Sequence, residues 1–224
     1  MSNDPPDYEP TARRPINSRD TRWASLIADW LASTSLSANG ISIIGMLAAC
    51  FAGISFYGTS LTDGWLQRSL WLTGGVLCQV RLLCNLFDGM VAIRRNAASA
   101  VGELYNEVPD RVSDVAVLVG LGFAAGGEPV AGLFASTTAV FVAYVRAMAV
   151  SIGAPNDFSG PLAKPQRMAL VTLVAVWMTC SPATWQADFD WARWTLWLIA
   201  IGCLITALRR LRHAAIFLKK QKAK

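Results

Sequence analysis

The sequence predicts an all-helical integral membrane protein, with six transmembrane helices preceded by an interfacial amphipathic helix. Three observations carry this. The 224 residues are 54% hydrophobic, with a mean hydropathy of +0.38. Only 16% are charged, well below the roughly 25% of soluble domains. The apolar residues gather into runs near the ~20 residues that cross a bilayer, and nine Trp suit lipid–water interfaces. A large soluble core is the alternative, and the length of the runs argues against it.

Taken in order, residues 1–18 are polar and Pro-rich, with no apolar core of the signal-peptide kind. They read as a disordered cytosolic tail. Residues 19–213 form the membrane domain. Within 19–32, Trp23, Leu26, Ile27, Trp30 and Leu31 recur at helical spacing. That stripe is too short and too polar to span, so an interfacial helix is expected, with an ordinary packed helix as the alternative. The spanning segments are expected at 39–58, 68–93, 110–126, 129–153, 166–184 and 190–210. Residues 214–224 read as a basic cytosolic tail.

Charge orients the bundle. The loops near 59–67, 124–128 and 183–192 carry Asp63, Glu128, Asp188 and Asp190, with only Arg68 and Arg193 close by. The other side holds most of the Arg and Lys, including Arg94, Arg95, Arg111, Lys164, Arg167 and Arg209. The positive-inside rule puts that side, with both termini, in the cytosol. The net charge of +5 suits anionic lipid headgroups. Nucleic acid is not an expected partner, because the basic residues scatter over several loops.

Cys50, Cys78, Cys84, Cys180 and Cys203 form no CxxC pair and read as small hydrophobes. A single histidine, His213, sits in the basic C-terminal segment and reads as a surface charge. It supports no Ser–His–Asp or Cys–His chemistry.

The polar stretch between the second and third apolar runs carries the chemistry. Residues 85–114 gather Asn85, Asp88, Glu103, Asn106, Glu107, Asp110 and Asp114. Carboxylates at a bilayer face are expensive and usually functional. Asn85, Asp88 and Ala92 share one helix face at ~100° per residue. Asn106, Asp110 and Asp114 share another if their segment is helical, with Pro109 tolerable only near its start. Two such faces can aim oxygen ligands into one pocket, which suits Mg²⁺ or Mn²⁺ beside a phosphate-bearing substrate. Solvated helix-end residues are the bland alternative.

These residues resemble the signature of the CDP-alcohol phosphatidyltransferases, D-x-x-D-G-x-x-A-R, eight residues, then G-x-x-x-D-x-x-x-D. Asp88, Gly89, Ala92, Gly102 and Asp110 fall on it in register. Asn85 and Asn106 stand at the first and third Asp positions, and Ile93 stands at the Arg, followed by Arg94 and Arg95. An Asn brings an oxygen without charge, so a two-metal site should be weakened. The chain resembles a divergent branch with N-x-x-D-G-M and N-E-x-x-D forms. The segment from Ser37 to Ser42, with Asn39, is similar to the TPNxIT segment before the first span, and Tyr144 to Ala147 is similar to SYVRA.

The resemblance implies a phosphatidyltransferase of phospholipid biosynthesis, in a bacterial inner membrane with its active site cytosolic. It would move a phosphatidyl group from a CDP-linked alcohol such as CDP-diacylglycerol to an acceptor alcohol, releasing CMP. Asp88 and Asp110, with Asn85 and Asn106, would hold Mg²⁺ or Mn²⁺, and Asp110 would be the general base. Gly89, Ala92, Gly102 and Asn39 would line the substrate site, and Gly89 would leave room for the nucleotide. Arg146, Lys164 and Arg167 would hold a phosphate or other polar group; topology alone is the alternative for the last two. Homodimer pairing is common in the family. The resemblance assigns Arg81 no role. The rival readings are a catalytically inactive relative that binds CDP-lipid or phospholipid, and a small transporter. The transporter would show an internal repeat, which is not seen.

Overall fold

The structure, a computed structural model, describes residues 21–95, 97, 100–187 and 189–222. The expected tail at 1–18 lies outside them. Among the described residues the elements are α-helices with one short 3-10 turn and no strand. They are α1 (Arg22–Ser33), α2 (Ala38–Gly58), α3 (Gly64–Arg94), α4 (Ala100–Gly122), α5 (Pro129–Ser151), α6 (Lys164–Cys180), α7 (Ala183–Ala187) and α8 (Trp191–Lys222).

Local sequence sets several of these boundaries. Ser37 caps α2, its side chain accepting from the Gly40 N–H at 3.0 Å. Pro129 opens α5, where the missing N–H costs nothing. Arg95 ends α3 and reaches back to α1. Its guanidinium donates to the carbonyls of Leu31, Ala32, Thr34 and Leu36, including the last carbonyls of that helix. At the opposite end of the bundle Arg68 does the same for α6, donating to Thr179 O at 3.0 Å and Ser181 O at 2.9 Å.

Among the described residues, four segments are long and apolar enough to cross a membrane: Ala38–Leu61, Gly64–Arg94, Pro129–Ser151 and Trp191–Gln221. Their outer faces expose Phe51, Ile54, Leu133, Leu198 and Leu208, as lipid contact requires. The chain is an integral membrane protein. The other two expected spans are helices of a different kind. The segment at 110–126 is the second half of α4, which starts at Ala100 and carries Glu107, Asp110, Arg111 and Asp114. The segment at 166–184 is α6, only 17 residues long. Both pack in the bundle, α4 against α2 and α5, and α6 against α3 and α8.

Pro109 is correspondingly inside α4 and not near its start. The missing N–H leaves the Tyr105 carbonyl without its helical donor. Packing against neighbouring helices supports the turn, and Ser113 Oγ donates to Pro109 O at 2.7 Å.

In lipid, helices associate through close packing rather than by escaping water. The core is accordingly rich in alanine, with Ala49, Ala52, Ala131, Ala135, Ala139 and Ala200 all fully buried. Gly53 and Gly120 let α2 and α4 touch backbone to backbone, and a Cβ on either would collide with the other helix. That contact brings the N-terminal ends of α2 and α4 into register beside the C-terminal end of α3.

The apolar residues of the N-terminal helix divide between two faces. In α1 the small residues Ala24 and Ala28 are buried against α3, while Leu26 and Trp30 are 70% and 65% exposed. Of the stripe, Leu26 and Trp30 thus face outward, while Trp23 meets Phe87 edge-on and Leu31 packs against the α1–α3 cluster. α8 continues as helix through the basic segment to Lys222.

Candidate active site

A narrow cleft opens where α2, α3 and α4 converge, with about 190 Å³ of empty space, its mouth included. Its walls include Ser42, Arg81, Asn85, Asp88, Asn106, Pro109, Asp110 and Ser113. The helical spacing explains the set. Arg81, Asn85 and Asp88 lie on one face of α3, while Asn106, Asp110 and Ser113 lie on one face of α4. The four oxygen-bearing residues singled out by the sequence therefore line one cleft.

Asp88 is 4% exposed. Ser42 Oγ donates to its Oδ2 at 2.7 Å, and the Gly89 N–H donates to its Oδ1 at 2.6 Å. These two donors fix the carboxylate against α2. Ser42 lies in the 37–42 segment, but its partner is 46 residues away, so no local signal marks it. On the other wall, Asn85 Nδ2 donates to Asn106 Oδ1 at 3.1 Å and to Asp110 Oδ1 at 3.4 Å. Asn85 thereby orients both residues of α4, leaving its own carbonyl oxygen for a ligand.

Behind this wall is a buried charge network. Asp110 is ion-paired with Lys164, and with Arg81 Nη2 at 3.5 Å and Arg111 Nη2 at 3.7 Å. Asp114 is fully buried between Arg81 Nη2 at 3.1 Å and Arg167 Nη2 at 2.6 Å. Arg167 also donates to Leu162 O at 3.1 Å. Removing one partner of such a network strands a buried charge. Arg81 is invisible as a site residue in the sequence, because its partners come from α4.

The basic residues expected to bind substrate divide into three situations. Lys164 reaches Asp110 at the cleft. Arg167 is 1% exposed, so it is not a solvated loop charge; it meets Asp114 and the Leu162 carbonyl. Arg146 pairs with Glu107 and lies over the Phe158 ring, 5.0 Å from its centroid. Asn39 sits half-buried in the first turn of α2, and Ala92 lies one turn past Asp88 on α3. Gly102 lies in the first turn of α4. The two arginines after Ile93 are tied to the N-terminal helix, Arg94 to Asp29 and Arg95 to backbone carbonyls.

Among the described residues no group of three or more His, Cys, Asp or Glu is arranged to hold a metal. The cleft offers two carboxylates and two amide oxygens instead. All are hard oxygen donors lining one cleft, a donor set whose chemistry suits a Mg²⁺- or Mn²⁺-like ion.

Comparison with known proteins gives this geometry relatives. No family model matches the chain. It is 34% identical over 134 residues to the archaetidylinositol phosphate synthase of Methanothermobacter thermautotrophicus, covering 59% of this chain and 61% of that relative. It is 24% identical over 194 residues to the phosphatidylinositol phosphate synthase of Mycobacteroides abscessus, covering 84% and 81%. The chain is thus similar in sequence to two inositol-phospholipid phosphate synthases. The fold has relatives of the same kind. The crystal structure of Mycobacterium tuberculosis phosphatidylinositol phosphate synthase with CDP-diacylglycerol bound has a TM-score of 0.70 at 22% identity. It covers 87% of this chain and 94% of that one. The same synthase in complex with manganese and citrate gives 0.69 at 22% identity, covering 84% and 87%. The chain thus shares a membrane fold with that synthase, and in this chain Asp88 of α3 and Asp110 of α4 line one cleft.

Proposed function

We propose that this chain is a phosphatidyltransferase that moves a phosphatidyl group from CDP-diacylglycerol to an acceptor alcohol, releasing CMP. The observation that carries this is the convergence of Asp88 and Asp110, with Asn85 and Asn106, on one cleft between α2, α3 and α4. These four residues would hold Mg²⁺ or Mn²⁺, which supplies charge neutralisation for the diphosphate and the departing CMP. The manganese complex of the structural relative supports that choice.

The chain's own groups divide the remaining work. Ser42 and the Gly89 N–H hold the Asp88 carboxylate in one orientation, and Asn85 holds Asp110 and Asn106. Gly89, Ala92, Gly102 and Asn39 border the donor's path. Asp110 takes the proton from the acceptor hydroxyl, whose oxygen attacks the phosphorus next to the lipid as the bond to CMP breaks. Such displacements gain most from alignment and charge neutralisation. Lys164, paired with Asp110, steers the acceptor toward that carboxylate.

Arg146 supports an anionic acceptor. Its ion-pair partner among the described residues is Glu107, whose side chain is 43% exposed and can yield to a phosphate. The names of the two curated relatives make inositol phosphate the first acceptor to test.

We further propose that α4 and α6 complete six spans and that α1 lies in the interface. The site and both chain ends then share the cytosolic face, and in a bacterial cell this would be the inner membrane. The basic residues at the site end support that orientation.

The test is CMP release by purified protein from CDP-diacylglycerol with Mg²⁺ or Mn²⁺, across a panel of free and phosphorylated alcohols. Release with one acceptor, lost on Asp110→Asn, is the expected result. No release with any acceptor overturns the reading.

A further inference from the structure

The two walls of the cleft carry different charge, and Arg81 is the reason. It stands one turn before Asn85 on α3, so it shares that face. Only 1% of Arg81 is exposed. Its Nη2 reaches Asp110 O at 3.3 Å, Asp110 Oδ1 at 3.5 Å and Asp114 Oδ1 at 3.1 Å. Its Nε and Nη1 are buried with no hydrogen-bond partner. Leaving such groups unmet is costly, and Arg81 is one of the residues that line the cleft.

The surrounding charges agree. Lys164 and Arg111 also reach the Asp110 carboxylate, while among the described residues no cation is ion-paired with Asp88. Asn85 and Asn106 add oxygen without charge. Asn85 even turns its N–H groups toward Asp110. A second divalent ion beside Asp110 would face Arg81 and Lys164 with little negative charge to offset it.

We infer that the site takes a single divalent cation, held mainly from the Asp88 side. Arg81 is the fixed positive charge that stands where a second ion would otherwise be needed. Its unpartnered N–H groups are offered to the diphosphate of the donor. This rests on the proposed transferase reading for the identity of that donor, but the cation count does not.

The test is a Mn²⁺ titration of the purified full chain without substrate, reading free Mn²⁺ by electron paramagnetic resonance. One ion per chain is expected. Arg81→Gln should bind Mn²⁺ about tenfold more tightly or admit a second ion, because a repelling charge is gone. Arg81→Lys keeps the charge and should leave the count at one. A wild-type count of zero or two overturns the inference, as does unchanged or weaker Mn²⁺ binding in folded Arg81→Gln. If that variant does not fold, the wild-type count decides. A chain that binds one ion yet releases no CMP overturns the transferase reading and leaves this one standing.

Discussion

Asp88 and Asp110 face one cleft from adjacent helices, yet their surroundings are unlike. Asp88 is held by neutral donors, a serine hydroxyl and a backbone N–H. Asp110 is ringed by Lys164, Arg81 and Arg111, with the buried Asp114–Arg167 pair behind it. The difference teaches that the same residue type can serve two tasks at one site. The Asp88 wall has charge to spare for a cation. The Asp110 wall is already compensated and is built to hold one carboxylate still.

The contrast can be broken by substitution, beginning with the group assigned to proton transfer. Asp110→Asn should lower CMP release by ~10²–10⁴-fold, the usual contribution of a placed base. Mn²⁺ affinity should fall much less than in Asp88→Asn, and comparing the two titrations checks this. Arg167→Ala strips a partner from buried Asp114 and should cost about 3 kcal/mol of stability. A thermal melt in detergent would reveal it, and an unchanged midpoint would show that the network does not hold the Asp110 wall. Asn85→Asp combined with Asn106→Asp should raise Mn²⁺ affinity about tenfold by adding charge beside the ion. No gain would mean that the amides are not close to the cation.

Two smaller effects sharpen the picture. Arg146→Ala should raise KM for a phosphorylated acceptor by about tenfold, the scale of one charge-assisted hydrogen bond. KM for CDP-diacylglycerol should stay near its wild-type value, and a rise there instead would assign Arg146 to the donor. Ser42→Ala removes one hydrogen bond to Asp88 and should weaken Mn²⁺ binding only by about threefold to tenfold, for about 1 kcal/mol. Activity should fall in parallel, with no loss on the Asp110 wall.

The local parts of this site are legible in the amino-acid sequence alone. Asn85 and Asp88 are three apart and Asn106 and Asp110 four apart, so helical periodicity brings each pair to one face. The register of Gly89, Ala92 and Gly102 supplies the family resemblance. Long-range partners are not legible in this way. Ser42 meets Asp88 across 46 residues, and Arg167 meets Asp114 across 53. Arg81 is a stray charge in an apolar run until α4 packs beside it. Arg167 reads as a substrate ligand for the same reason, since a sequence shows a charge but not what neutralises it. Hydropathy finds four apolar spans among the described residues, but it undercuts α4, whose first half carries polar residues that line the cleft.

The sequence by itself determined a helical membrane chain, the basic and acidic ends of its bundle, and a polar motif with family character. These follow from hydropathy, periodicity and spacing, all properties of residues close along the chain. Only the tertiary structure decided which charges meet. The Gly53–Gly120 contact brings α2 against α4, and the packing of α6 against α3 carries Lys164 and Arg167 to the acidic face of α4. In a medium with almost no water, a buried charge must be answered by another within a few ångströms. The answering residue is chosen by helix packing, not by its place in the sequence.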